Sequence, residues 1–334
     1  MKVLVTGGAG YIGSTTALAL EQAGHVPVIL DSLVTGPRAF VGSRIFYEGD
    51  IADRALLRRI VDEHDIGCTI HMAALAVVPD SVSNPYLYYR ENVGKSLELF
   101  DELGELGKPR VLYSSSASVY AMPENGFEVA EDAKLAPTSP YARTKLMVEQ
   151  VLADLAAASP VRALILRYFN PIGADPDLTT GVYAREPSHV LGQLVRVAQG
   201  SKDAFAITGV DHPTRDGTGI RDYIHVWDVA RAHVAAVEHF DDALAAIDST
   251  SVTINLGTGH GATVRELVTA FERVYGQRIR VVERPSRPGD AVGAYASVER
   301  AADLLGWRAV LSLDDGIASA LAWGRQRHAI LGYA

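Results

Sequence analysis

Short apolar runs alternate with longer amphipathic stretches through the first half of the chain. Lys2–Thr6, Val26–Asp31, Arg44–Tyr47, Cys68–Met72, Arg110–Ser115 and Arg162–Tyr168 are dominated by β-branched and aliphatic residues. That is the composition of strands buried on both faces. Between them, apolar spacing predicts helices near 11–23, 53–63, 85–106 and 139–158. This βαβαβ rhythm predicts an α/β fold, a Rossmann-type doubly wound parallel sheet with right-handed crossovers. After Asn170 the rhythm breaks. Pro171, Gly173, Pro176, Gly181 and Pro187 punctuate a loop-rich stretch, and Gly209–Gly219 forms another. We therefore expect one domain over 1–170 and a second, smaller α/β domain over 171–334. The second part mixes short strands and helices, including a helix from about Val226 to Phe240, and part of 225–260 is expected to return to the first domain. No internal repeat is visible.

The turn after the first strand carries Gly7-Gly8-Ala9-Gly10-Tyr11-Ile12-Gly13. Gly8, Gly10 and Gly13 fit the G-x-G-x-x-G spacing, in which missing side chains tighten the turn and let a pyrophosphate approach the backbone. Amides opening the following helix would face that anion. Asp31 ends the second strand, where a carboxylate accepts hydrogen bonds from an adenosine ribose and repels a 2′-phosphate. The expected cofactor is NAD rather than NADP, with Gly7, Gly10, Tyr11, Ile12, Gly13 and Asp31 in its site.

Other motifs are weaker. Gly94-Lys95-Ser96 resembles the end of a phosphate-binding P-loop, but Tyr89 stands where its first glycine is required and the segment reads as mid-helix. Asn255–Gly261 reads as a turn before a helix capped by Thr263. His225 and His233 lack a third ligand at metal spacing, so no metal site is expected.

The 334 residues, 48% hydrophobic and 21% charged, suffice for about two cores. A net charge of −9 argues against a protein that grips nucleic-acid backbones. The single cysteine, Cys68, excludes a disulfide framework and fits a reducing compartment. No uncharged apolar run reaches the ~18 residues that would cross a bilayer, and the opening Met1–Val5 runs into glycines rather than a signal-peptide core. A soluble cytoplasmic protein is expected.

Tyr141 and Lys145 stand four residues apart in a predicted helix, which puts both side chains on one face. Ser114-Ser115-Ser116 closes the fifth strand, and ligand sites lie at the carboxyl ends of such strands. These features, in order, resemble the extended short-chain dehydrogenase/reductase superfamily and, within it, the UDP-glucose/UDP-galactose 4-epimerase family. The resemblance runs through nearly the whole chain. It is carried by Thr6–Ser14, Gly49-Asp50-Ile51, His71-Met72-Ala73-Ala74, Ser114–Tyr120, Tyr141–Lys145, Arg167–Pro171 and, most specifically, Asp216–Val226.

The resemblance implies a redox cycle at C4 of a nucleotide sugar without net oxidation. Tyr141 would take the proton of the 4-hydroxyl, with Lys145 beside it and Ser116 bonded to the sugar oxygen. For NAD it adds Asp50, Ile51, Met72, Ala73, Ala74, Asn92, Ser114, Tyr141, Lys145 and Tyr168. For the sugar nucleotide it implies Ser116, Tyr141, Asn170, His189, Arg221, Tyr223, Arg287 and Asp290. A homodimer built on the helices near 85–106 and 139–158 follows by the same analogy. A phenol ionising near pH 10 needs about 4 kcal/mol to serve as a base at neutral pH. One cation about 6 Å away contributes ~3 kcal/mol at an effective dielectric of 20. Lys145 alone falls short, and the cationic nicotinamide ring is expected to supply the rest.

Several positions depart from the family pattern. Ala76 stands where a lysine is common, which predicts loosened, partial retention of NAD. Ser188-His189 replaces Asn-Asn, Thr208 replaces an aromatic residue, and Ala294 replaces a tyrosine. These changes leave the preferred base and sugar open, and the small Ala294 gives room for an N-acetylhexosamine. A related 4,6-dehydratase carries Asp-Glu after its catalytic Ser/Thr, where this chain has Ala117 and Ser118. A non-catalytic NAD(H) sensor would need no Tyr–Lys pair.

Overall fold

The computed structural model describes residues 1–123, 125–285 and 292–333. Its centre is a sheet of seven strands: β1 (Lys2–Thr6), β2 (Val26–Asp31), β3 (Ile45–Glu48), β4 (Ile66–His71), β5 (Arg110–Ser116), β6 (Arg162–Tyr168) and β7 (Ser251–Leu256). Their order is β7-β6-β5-β4-β1-β2-β3, and every pairing is parallel. The order runs outward from β1 in both directions, so the crossovers switch sides there, where ligands bind in open α/β sheets.

Each face of the sheet is covered, which is why its strands read as continuous apolar runs. On one face Val3, Val5 and Leu112 pack with Leu20 of the helix Tyr11–Gln22 and with Val229 and Val237 of the helix Val226–Glu238. On the other, Leu4, Val111 and Ile165 pack with Leu57, Leu99, Phe100 and Leu152, from helices Arg54–Glu63, Lys95–Glu105 and Pro140–Ala158. A separate core joins Leu191, Leu194, Phe205, Ile207, Leu267, Phe271, Ile317 and Leu321. The last strand of the main sheet, β7, comes from late in the chain, and the helix Val226–Glu238 packs beside Tyr11–Gln22.

The expected 85–106 helix is interrupted. Pro85–Tyr88 leads into a π-helical turn over Tyr89–Gly94, and regular helix resumes at Lys95. A π turn holds one extra residue, which no apolar period anticipates. A further helix, Val78–Ser83, lies outside the expected ones; Pro79 sits in its first turn, where a missing N–H costs little. Two strands are displaced by one or two residues, to Ile45–Glu48 and Ile66–His71. No helix among the described residues is long and apolar enough to cross a membrane.

Candidate active site

The turn between β1 and the helix Tyr11–Gln22 is built for close approach. Gly7 has φ +72°, and a Cβ there would lie 2.7 Å from the Ala73 amide nitrogen. A Cβ on Gly13 would lie 2.3 Å from the Gly7 carbonyl. Any side chain at either position would fill the cradle or push β4 away. Asp31 braces the turn, its Oδ2 accepting from the Ala9 amide at 2.9 Å and its Oδ1 from Leu33 at 2.8 Å.

The turn opens on a cleft of ≈ 330 Å³ across the carboxyl ends of the strands. Of the residues expected to bind NAD, it brings together Gly7, Gly10, Tyr11, Ile12, Gly13, Asp31, Asp50, Ile51, Met72, Ala73, Ala74, Tyr141, Lys145 and Tyr168. Asn92 and Ser114 stand behind its wall. The Asn92 amide clamps Leu75, accepting from its N–H at 2.8 Å and donating to its carbonyl at 3.0 Å. The Ser114 hydroxyl pairs with His233 at 2.9 Å. The cleft has a glycine floor and a carboxylate, Asp31, at the end of the second strand, features that fit NAD.

At its other end lies the tyrosine–lysine pair. Ser139 caps the helix Pro140–Ala158, accepting from the Ala142 amide at 3.2 Å. Tyr141 and Lys145 therefore project from the first two turns, beside the end of β5. Lys145 Nζ donates to the Ser114 carbonyl at 2.7 Å and lies 6.0 Å from the centre of the Tyr141 ring. Ser116 faces Tyr168 across the β5–β6 ladder and hydrogen-bonds Tyr141. Ser116 Oγ also accepts from the Ser118 amide at 3.2 Å and the Ser118 hydroxyl at 2.9 Å. With those contacts received, its own proton is left for Tyr141 or a ligand oxygen.

Burial raises the Tyr141 phenol to about 12, opposed by the Ser116 hydrogen bond. Burial lowers Lys145 to about 8, opposed by the charge of Glu149. The pair alone therefore does not make a phenolate at neutral pH, in line with the need for a further cation.

Glu149 is the residue sequence reasoning missed here. It lies one turn beyond Lys145 on the same helix face, and extending the four-residue spacing would have found it. Buried with Arg167 of β6, it accepts from Arg167 Nε at 2.9 Å and Nη2 at 2.5 Å, and also from the Ser115 hydroxyl. Arg167 Nη1 reaches the Tyr120 hydroxyl at 3.0 Å, which donates to Asn255 at 2.6 Å. This buried network locks the serine-rich end of β5 onto the Tyr–Lys helix.

The residues expected around the sugar nucleotide fall in two groups. Asn170 and Tyr223 lie on paired strands, Asn170–Ile172 and Tyr223–His225, and the buried Tyr223 hydroxyl has no hydrogen-bond partner among the described residues. Arg221 Nη1 donates to the carbonyls of Ile220 at 2.7 Å and Val292 at 2.8 Å. Asp222 accepts from Thr258 and Ala296, fixing that turn. His189 lies apart from the cleft, on a second cavity with Trp323 and Arg327, where its Nδ1 caps a helix by accepting from Gly192 at 3.2 Å. Arg287 and Asp290 lie outside the described residues. His225 and His233 are satisfied by Ser319 at 3.0 Å and Ser114, and no metal-binding cluster occurs among the described residues.

Residues 3–257 match the model of the NAD dependent epimerase/dehydratase family. The chain belongs to that family. A UDP-glucose 4-epimerase from Azospirillum brasilense is 41% identical over 335 residues, covering 100% of this chain and 94% of that protein. The family member from Stenotrophomonas maltophila, a UDP-glucose-4-epimerase crystallised with bound NAD and formylated UDP-arabinopyranose, superposes with a TM-score of 0.93. It is 40% identical, over 97% of this chain and 98% of that one. A Bifidobacterium longum UDP-glucose 4-epimerase in complex with NAD+ and UDP has a TM-score of 0.89 and 35% identity, over 98% of each chain. This family depends on NAD, and the cleft is built accordingly.

Proposed function

We infer that the chain is a nucleotide-sugar 4-epimerase, an isomerase acting on UDP-galactose and UDP-glucose. The observation that carries this reading is the placement of Ser116, Tyr141 and Lys145 at one end of the dinucleotide cleft, with Ala117 and Ser118 following the serine. A dehydratase needs an acid and a base at those two positions, and alanine and serine supply neither.

Held by the glycine turn, Asp31 and Asp50, NAD would supply a reversible hydride acceptor for C4 of the sugar, open to either face, and a positive ring at the Tyr141 end. Tyr141 accepts the 4-hydroxyl proton and gives it back, and return of the hydride to C4 leaves no net oxidation. Ser116 donates to the sugar oxygen, and Lys145 holds the hydrogen-bonding frame through Ser114. Asn170, Arg221 and Tyr223 bind the nucleotide diphosphate, the unpartnered Tyr223 hydroxyl being suited to an anionic oxygen. Arg287 and Asp290 complete that site in this reading. Residues 1–170 with the 225–256 return form the NAD domain, and the remainder forms the substrate domain.

A second reading concerns the sugar alone. Ala294 packs in one cluster with Ala117, Tyr120 and Phe169, so a small residue stands beside the Ser116 turn. That favours acceptance of UDP-N-acetylhexosamines as well.

The working form is a cytoplasmic homodimer joined through the helices Lys95–Glu105 and Pro140–Ala158, on which Leu97 and Met147 are exposed. Light scattering at micromolar concentration should give twice the 35.8 kDa chain mass. The decisive assay incubates the protein with NAD and a panel of UDP- and dTDP-hexoses and N-acetylhexosamines, following 4-epimers by chromatography. Tyr141→Phe should lower conversion at least 10³-fold with an unchanged circular dichroism spectrum. Conversion surviving in that variant, or 4-keto-6-deoxy products in the wild type, would refute the assignment.

A further inference from the structure

The lysine of Gly94-Lys95-Ser96 does not belong to a P-loop, yet it faces a nucleotide cleft. Lys95 opens the regular helix after the π-helical turn Tyr89–Gly94, and both Lys95 and Glu91 line the cleft. Its neighbour Ser96 is pinned on two sides, to His71 Nε2 at 2.8 Å and to the Asn92 carbonyl at 2.6 Å. The helix start is thereby fixed to β4, and Lys95 is directed across the cleft toward β3. There its ammonium donates to Asp50 Oδ2 at 2.5 Å and to Glu91 Oε2.

Asp50 follows β3 and Asp31 ends β2, so this is the adenosine half of the cleft; Tyr141 and Lys145 mark the nicotinamide half. The charged groups lining the cleft are Asp31, Asp50 and Glu91 against Lys95 and Lys145. Glu91 shares its other oxygen with Arg90, which lies outside the lining. A ligand carrying a diphosphate must enter this cleft. Without Lys95, its adenosine half would present only carboxylates. Burial works to raise the Asp50 carboxyl, but the Lys95 hydrogen bond and the Ala52 amide at 2.9 Å outweigh it and keep the group ionised. An ionised, immobilised Asp50 is an acceptor for an exocyclic amine. An ammonium has three donors, and two are accounted for.

We propose that Lys95 is a cofactor-binding residue of this chain: it fixes Asp50 for the adenine amine and gives the adenylate half of NAD a cation and one further donor. The proposal deepens the NAD reading of the same cleft and rests on it.

Binding, not turnover, tests it. NAD, AMP and nicotinamide mononucleotide are titrated calorimetrically into the full chain and into Lys95→Gln and Lys95→Arg variants, each checked for an unchanged melting temperature. Lys95→Gln should weaken AMP and NAD about tenfold or more and leave nicotinamide mononucleotide within twofold. Lys95→Arg, which keeps the charge, should retain most of the affinity. The wild-type affinity for AMP should also fall more steeply with salt than that of Lys95→Gln. Equal AMP binding by Lys95→Gln overturns the proposal, and tighter binding does so too, by making Lys95 a competitor for Asp50. A wild-type protein that binds neither NAD nor AMP would instead refute the cofactor reading itself.

Discussion

Lys145 Nζ donates to the Ser114 carbonyl at 2.7 Å, which ties the helix carrying Tyr141 to the strand that ends in Ser116. The lysine thus does two things at once: it sets the relative position of base and hydrogen-bond donor, and it places a buried charge near the phenol. The two roles carry different signs for stability. Lys145 is charged where burial opposes charge, so its contribution to catalysis comes at a cost to the fold.

That cost has a pH signature. The Lys145 ammonium is lowered from 10.5 to about 8 by burial. Between pH 8 and 10.5 the unfolded chain holds this proton and the folded chain does not, so stability rises with pH across that window. It is lost again as pH falls through 8. The difference amounts to about 3 kcal/mol. Urea midpoints of the wild type should rise over this range relative to those of Lys145→Met, which should be inactive and should show no such increment. Parallel profiles for the two proteins would contradict the buried-cation account.

Ser116 is expected to act on Tyr141 as well as on the sugar. Its hydrogen bond opposes the burial that raises the phenol. Ser116→Ala should lower the turnover rate about 10²-fold. It should also move the rising limb of the pH–rate profile to higher pH, because the phenol loses a donor that favours its ionised form. Ser116→Thr, which keeps the hydroxyl, should restore much of the rate and the position of the limb. A uniform loss of rate with no shift would confine Ser116 to sugar binding.

The buried Glu149–Arg167 pair makes a separate prediction. Removing one partner leaves the other charged and without its counter-ion in a dry site, at a cost of about 3–5 kcal/mol. Glu149→Ala should therefore shift the denaturation midpoint strongly, and it should also free the Ser115 hydroxyl at the end of β5. The double variant Glu149→Met/Arg167→Met should be less destabilised than the sum of the single changes. Additive effects would mean that the two side chains do not work as a pair.

Much of this was written in local pattern. The six early strands, the glycine turn and the Tyr–Lys face each occupy a short stretch, and each obeys a period or spacing that can be read without partners. What escaped was tertiary. The π-helical turn at Tyr89–Gly94 swings Glu91 and Lys95 into the cleft, and no one-dimensional period anticipates it. Tyr183 comes from beyond residue 170 to line the same cleft, its ring edge-on to Phe40 at 5.9 Å. Glu149 was within reach, since it continues the face of Tyr141 and Lys145, but its role depends on Arg167 from a different element. His189, which the resemblance implies for the sugar nucleotide, accepts from Gly192 at the start of the helix Val190–Ala198 and lines a cavity with Trp323 and Arg327, partners that no local spacing reveals. The backbone frame is local in origin, and the charge balance of the site is not.

Charge balance also governs how firmly the cofactor is held. Ala76 is exposed on the cleft wall next to Leu75, whose backbone is clamped by Asn92. The wall there is neutral, so a bound diphosphate would find no side-chain cation in this segment. Protein purified without added NAD should therefore carry it only in part. Ala76→Lys adds an ammonium on a fixed stretch of backbone at the mouth of the cleft. A charge-assisted hydrogen bond of this kind contributes about 1.5–3 kcal/mol. The variant should bind NAD at least tenfold more tightly and retain it through dialysis, as measured by nucleotide released on denaturation. The gain should shrink in high salt, since an exposed cation acts on the phosphates through screened water. It should also persist in the Lys95→Gln background, because the two lysines address different parts of the dinucleotide. Stoichiometric, non-dialysable NAD in the unaltered protein would show that the glycine turn and Lys95 already suffice.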